Sequence, residues 1–203
     1  FGDSLIAVRL LSIIFSLGII YFLYLIARHL FDEQTALAAA CLAAILPFQI
    51  HFGVEIRMYV LLAFWLILTT FAFLKRQWIL FSVAAALAQY THNLAAFYLI
   101  SLAFTPILKK DWKTLRSLTL AGIAALILYT PWLIQLPGQI SKVTSNFWVE
   151  KPGIEKLFTL SLVYLPNLPL PNSLLMAGLL LSMLIIVLAV FQTFRTQHEK
   201  TEQ

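Results

Sequence analysis

A single cysteine, Cys41, stands among 203 residues. It lies inside an apolar run with no partner in the chain, which excludes an intramolecular disulfide and any cysteine-based metal site. Charge is scarce as well, with Asp, Glu, Lys and Arg at 11% of the residues against about a quarter in a water-soluble domain. That deficit excludes an aqueous surface for most of the chain. No internal repeat is evident, and no low-complexity segment beyond the small-residue patches at Ala36 to Ala44 and Ala84 to Ala88, which allow close helix packing.

What is abundant is hydrocarbon: 61% of the residues are hydrophobic and the mean hydropathy is +0.89. A bilayer crossing takes roughly 20 apolar residues, with backbone polar groups satisfied inside a helix. Apolar runs lie at about 10–26, 35–50, 59–74, 78–90, 94–108, 118–132 and 174–191. The fold class they predict is all-α, a polytopic membrane helical bundle of about seven transmembrane helices. Several runs are short, so flanking residues or local bilayer thinning must complete them.

The net charge of +5 is spread over separate gaps, which fits membrane topology and not a nucleic-acid partner. The gaps at Arg28, at Lys75-Arg76 and from Lys109 to Arg116 are basic, and the positive-inside bias makes them cytoplasmic together with the tail holding Arg195 and Lys200. The gaps at Glu55/Arg57 and His92, and residues 133–173, then face outward. Trp78 and Trp112 suit the inner interface, and Tyr90, Trp132 and Trp148 the outer one. Five of the eight prolines fall in 133–173, so that stretch reads as a loop region, with a short interfacial helix from Ile154 to Leu165. Three regions result: a core at 1–132, this loop region, and a last crossing with a basic tail at 174–203. The chain opens Phe1-Gly2-Asp3 without a methionine or a basic leader, and is expected to continue upstream.

The outward gap His51-Phe52-Gly53-Val54-Glu55-Ile56-Arg57-Met58-Tyr59 carries the strongest chemical signal. Ionisable side chains at that depth are costly unless paired or used. If the segment is extended, Glu55, Arg57 and Tyr59 share a face; if helical, His51, Glu55 and Tyr59 align and Arg57 points about 200° away from Glu55. An arginine at headgroup level fits a phosphate, because its planar fork donates two parallel hydrogen bonds. The plainer alternative is that Glu55 and Arg57 only neutralise one another. His92, in the turn Tyr90-Thr91-His92-Asn93, is a further binding candidate, although metal-ligand spacing with His51 and Glu55 is absent. Arg9 can meet a lipid phosphate or snorkel. Trp148, after Phe147, can form an aromatic platform for a sugar or peptide, or an interface anchor. Asp3, Asp32, Glu33 and Asp111 carry no catalytic expectation.

Phe1-Gly2, Arg9-Leu10-Leu11-Ser12, Arg28-His29-Leu30-Phe31, Glu55-Ile56-Arg57-Met58-Tyr59, Tyr90-Thr91-His92-Asn93 and Thr130-Pro131-Trp132, in this order, resemble the bacterial branch of the dolichyl-phosphate-mannose protein mannosyltransferase family, membrane glycosyltransferases of the GT-C class. The resemblance spans roughly residues 1–152. It implies inverting transfer of a sugar from a polyprenyl-phosphate donor to a lipid, glycan or protein hydroxyl at the outer face of a bacterial inner membrane. Glu55, Arg57 and Tyr59 match the family's outer motif, with Arg57 at the donor phosphate. The family's catalytic acid lies in a first outer loop that would precede Phe1, so residues 1–203 alone are expected not to transfer sugar. No cofactor is required by this reading, which leaves room for a divalent metal. The rival readings are a transporter or channel subunit and a non-catalytic scaffold; polar residues gathered at helix ends, with few mid-span charges, disfavour transport.

Overall fold

The computed structural model describes residues 5–55, 57–139, 153–164 and 171–201, and every regular element among them is helical. In chain order these are α1 (Leu5–Leu30), α2 (Glu33–Ile45), α3 (Pro47–Val54), α4 (Met58–Leu74), α5 (Trp78–Thr91), α6 (Ala95–Ser101), α7 (Phe104–Leu108), α8 (Trp112–Leu133), α9 (Ile154–Tyr164), a 3₁₀ turn (Asn172–Leu174) and α10 (Leu175–Thr201). They fall into two compact units, residues 1–45 with 49–147, and 46–48 with 148–203. In the second unit α9 packs on α10.

Three segments are long and apolar enough to cross a bilayer, Arg9–Leu30, Trp112–Leu133 and Asn172–Phe191. The other apolar helices are shorter; α5, with 14 residues, is about 21 Å long against a hydrocarbon layer of roughly 30 Å. Two of the runs read as single crossings are broken. The run at 35–50 divides at Leu46, where Pro47 starts a new helix from the first position, the one that needs no N–H. The run at 94–108 divides at Leu102 and Ala103, because the ring of Pro106 crowds the carbonyl four residues back and offers no N–H to it.

In the first unit α1 contacts α2 and α4, α4 contacts α5, and α5 contacts α8. Small side chains make these contacts close. Ala84, Ala85, Ala86 and Ala88 are buried, whereas of the patch at 36–44 only Ala36 is. Ala72, Phe73, Phe81, Ala85, Ala86, Leu118, Ala121 and Ala125 form the core, and the Ser82 hydroxyl donates to the Ala121 carbonyl across it, 2.9 Å. Gly18 admits α4: a Cβ there would lie 2.6 Å from the Phe64 ring. Thr69, Thr70, Thr91 and Thr130 donate to carbonyls four residues earlier, which satisfies their hydroxyls within their own helices. Large apolar side chains such as Ile79, Leu42 and Ile127 point outward, as lipid-solvated helices require.

Hydrogen bonds gather the basic gaps at one end of this unit. Lys75 Nζ lies 3.2 Å from His29 Nδ1, and Arg76 Nη2 lies 3.3 Å from Asp111 Oδ2. Because α4 runs into this end and α5 runs out of it, Glu55 and Arg57 before α4 and His92 after α5 occupy the opposite one.

A short Leu-Lys-x-x-Trp repeat takes the same backbone form twice. Leu74-Lys75-Arg76-Gln77-Trp78 and Leu108-Lys109-Lys110-Asp111-Trp112 are matched turns. Arg76 N–H donates to Phe73 and Gln77 N–H to Ala72, as Lys110 N–H does to Ile107 and Asp111 N–H to Pro106. These are Schellman caps, whose left-handed position favours glycine. The residues found there are Arg76 at φ 55° and Lys110 at φ 53°, each at a cost of roughly 1–2 kcal/mol.

Two carboxylates without a catalytic expectation prove to be helix caps. Asp32 accepts from Thr35 N–H at 2.8 Å and its hydroxyl at 3.1 Å. Asp111 accepts from Thr114 N–H at 3.0 Å and its hydroxyl at 2.6 Å. The backbone bond first for Asp32, and the hydroxyl bond first for Asp111, hold each carboxyl below its ordinary range.

Candidate functional site

The end away from the basic turns is built around a gap between two helices. Gln49 Nε2 donates to Ser16 Oγ at 3.0 Å, and Gly53 brings α3 so close to α1 that a Cβ would lie 2.9 Å from the same hydroxyl. The helix ends at Val54. Ser12 Oγ then donates to the Glu55 carbonyl at 3.2 Å, so two hydroxyls one turn apart on α1 hold the chain where it leaves α3.

The question of helix or extended strand for this motif resolves as helix, break, helix. His51 lies in α3, Glu55 in a bend, Arg57 in extended backbone (φ −138°, ψ 160°) as the N-cap of α4, and Tyr59 in the first turn of α4. Arg57 Nε pairs with Glu55 Oε1 at 3.0 Å, with the arginine side chain 62% exposed and the glutamate 28%. Glu55 Oε2 is buried and has no hydrogen-bond partner among the described residues. Such an oxygen calls for a donor. His51 and Tyr59 flank Phe52, with ring centroids 5.1 and 5.6 Å from it.

The N-terminus of α4 has no side-chain cap and no acidic residue in its first turn. Its N-cap is a cation, against the usual preference for Ser, Thr, Asp or Asn and for negative charge at a positive dipole end. Open amides and a guanidinium at one point attract an anion.

The remaining candidates lie as follows. Arg9 is exposed on α1, one turn from Ser12 and so on the side of the helix that holds Glu55. His92 caps the end of α5 in extended backbone, and its Nδ1 accepts from Leu94 N–H at 3.1 Å. Around it Tyr129 Oη donates to Asn93 Oδ1 at 2.6 Å and Tyr90 Oη to the Leu128 carbonyl at 3.0 Å, with the two tyrosine rings 5.1 Å apart. No hydrogen bond or ion pair links His92 to Glu55 or Arg57 among the described residues. Trp148 lies outside them. No group of three or more His, Cys, Asp or Glu arranged to hold a metal occurs among the described residues.

The family model of the dolichyl-phosphate-mannose-protein mannosyltransferases matches residues 1–135, a stretch containing Arg9, Glu55, Arg57, Tyr59 and His92. The chain belongs to this family. No curated protein and no solved structure matches it. Membership makes it a mannosyltransferase-like membrane glycosyltransferase.

Within this mannosyltransferase-family chain, the residues that sequence reasoning missed are Ser16 and Gln49, with Ser12 noticed only as part of a motif. Two serines four apart in the apolar run 10–26 were the available signal. A cleft of about 340 Å³ also opens among α5, α6 and α8, lined by Ala85, Leu99, Ile100, Gly122 and Leu126, with Gln89 at one end. Its walls suit hydrocarbon and not a sugar.

Proposed function

We propose that the Glu55–Arg57 break holds the phosphate of a polyprenyl-phosphate-linked sugar donor, from which the enzyme transfers the sugar, with inversion, to a hydroxyl of a lipid, glycan or protein at the outer face of a bacterial plasma membrane. The observation that carries this reading is the arginine N-cap: a cation stationed at the uncapped start of α4 and pinned through Nε. Its terminal nitrogens have no ion-pair partner among the described residues, which leaves the fork for phosphate oxygens.

In such a transfer the acceptor oxygen attacks the anomeric carbon, the bond from that carbon to the phosphate oxygen breaks, and the carrier leaves as polyprenyl phosphate. Negative charge grows on the departing phosphate, where Arg57 and the first amides of α4 stabilise it. The hydroxyl proton passes to a carboxylate base, which the family resemblance assigns to a loop other than this break. Glu55 orients Arg57 and offers Oε2 to a donor hydroxyl. Arg9, Tyr59 and His92 complete the proposed binding surface, with Trp148 as an acceptor platform.

Transfer of radiolabelled sugar from a polyprenyl-phosphate donor by the full-length protein, and not by residues 1–203 alone, tests the reading. Arg57→Ala is expected to lose about 100- to 1,000-fold in rate, the scale of removing one charge-stabilising donor, with unchanged expression. Retained transfer, or accumulation of unmodified substrate inside vesicles, would overturn it.

A further inference from the structure

The opposite end of the first unit has its own chemistry. Lys75, Arg76, Lys109, Lys110, Lys113 and Arg116 are all exposed there, and the Asp111 carboxylate is the one acid within these two turns. Asp111 is engaged as the α8 cap and by Arg76. Nearby Glu33 is taken by Arg28 at 3.2 Å and by the Tyr24 hydroxyl at 3.0 Å. Lys109, Lys110, Lys113 and Arg116 have no ion-pair partner among the described residues. The Arg76–Asp111 contact brings the two matched turns side by side, and beside the cations stand Leu108, 80% exposed, and Trp112, 65% exposed. A patch that is cationic and apolar at once is matched to the boundary between headgroups and acyl chains.

Topology and helix dipoles both favour lysine and arginine near such turns, but neither accounts for where these sit. A cation one residue earlier would satisfy both demands, and Lys75 and Lys109 already do. Arg76 and Lys110 occupy the left-handed positions where glycine is cheapest, in both copies of the turn. The side chains therefore have a use that offsets the backbone strain.

We propose that the paired turns Leu74–Trp78 and Leu108–Trp112 bind the phosphate of anionic phospholipid headgroups, with Arg76 and Lys110 as its main contacts and Trp112 and Leu108 beside the acyl chains. Charge complementarity selects this occupant over a zwitterionic lipid, and the apolar rim selects it over a free anion. The proposal is independent of the donor-phosphate site at the other end.

The test compares binding of phosphatidylglycerol and phosphatidylcholine to the full chain in detergent by native mass spectrometry, with melting temperature recorded in parallel. The wild type is expected to prefer phosphatidylglycerol. The double variant Arg76→Gly/Lys110→Gly keeps the turn geometry and relieves its strain, so it should melt no lower in phosphatidylcholine yet bind phosphatidylglycerol about 30-fold more weakly, at roughly fivefold per basic residue near an anionic surface. Should it fail to fold, Arg76→Asn/Lys110→Asn, whose short polar side chains also tolerate a left-handed backbone, carries the same expectation. Equal affinity for the two lipids, a loss under threefold in the variant, or full competition by inorganic phosphate at matched concentration would overturn the proposal. An acidic protein that displaces phosphatidylglycerol from the wild type and not from the double variant would reassign the surface and count against it as well.

Discussion

Arg57 is placed where a helix gains least from it. A cation at an N-terminus opposes the dipole by about 0.3–1 kcal/mol, and a largely exposed ion pair returns about 0–1 kcal/mol. The Glu55–Arg57 pair therefore contributes little net stability, which leaves it free for the anion contact proposed above. Glu55→Gln separates the two accounts. It keeps the shape and removes the charge that pins Nε, so melting should change by less than about 1 kcal/mol while sugar transfer falls roughly tenfold to 100-fold. Parallel melting and transfer assays would read this; loss of several kcal/mol with transfer per folded molecule intact would make the pair structural. The proximity of the two residues was legible from their spacing. Their conformation was not, because the Ser12 hydroxyl that takes the Glu55 carbonyl stands 43 residues away in sequence, and no local pattern exposes that contact.

At the level of elements, apolar runs marked the helices, and caps and prolines set their limits. Asp32-Glu33-Gln34-Thr35 and Asp111-Trp112-Lys113-Thr114 start α2 and α8 by the same side-chain device, and Pro47 and Pro106 divide two runs that hydropathy alone joins. These signals were present in the sequence, but apolarity continues across them and conceals the break. The caps carry a pH dependence. Hydrogen bonds lower the folded-state pKa of Asp111 below its unfolded value near 3.8, so its stabilisation is complete above that value and is lost as pH falls through the lower folded one. Asn caps helices as well as Asp does. Asp111→Asn is therefore expected to melt nearly as the wild type does near pH 7 and to show a shallower decline below about pH 4, in melting curves recorded from pH 7 to pH 2. An unchanged acid slope would remove the cap from the account of acid sensitivity.

For the molecule as a whole, charge asymmetry and hydrogen bonding reach the same division from separate starting points. Positive charge alternates gap by gap along the sequence, and in the folded unit the His29–Lys75 and Arg76–Asp111 contacts collect those gaps at one end. Helix directions then carry Glu55, Arg57 and His92 to the other, where a donor on the outer leaflet would have to be met. Which end faces out is a question of translocation, and the Lys and Arg excess decides it when loops are short. With Cys41 replaced by Ser, single cysteines at exposed Val54 and Leu94 should react with a membrane-impermeant maleimide in intact cells. Cysteines at exposed Gln77 and Lys109 should react only after lysis. The reverse pattern would put the arginine N-cap in the cytosol, away from any outer-leaflet donor, and the proposed transfer could not take place at that site.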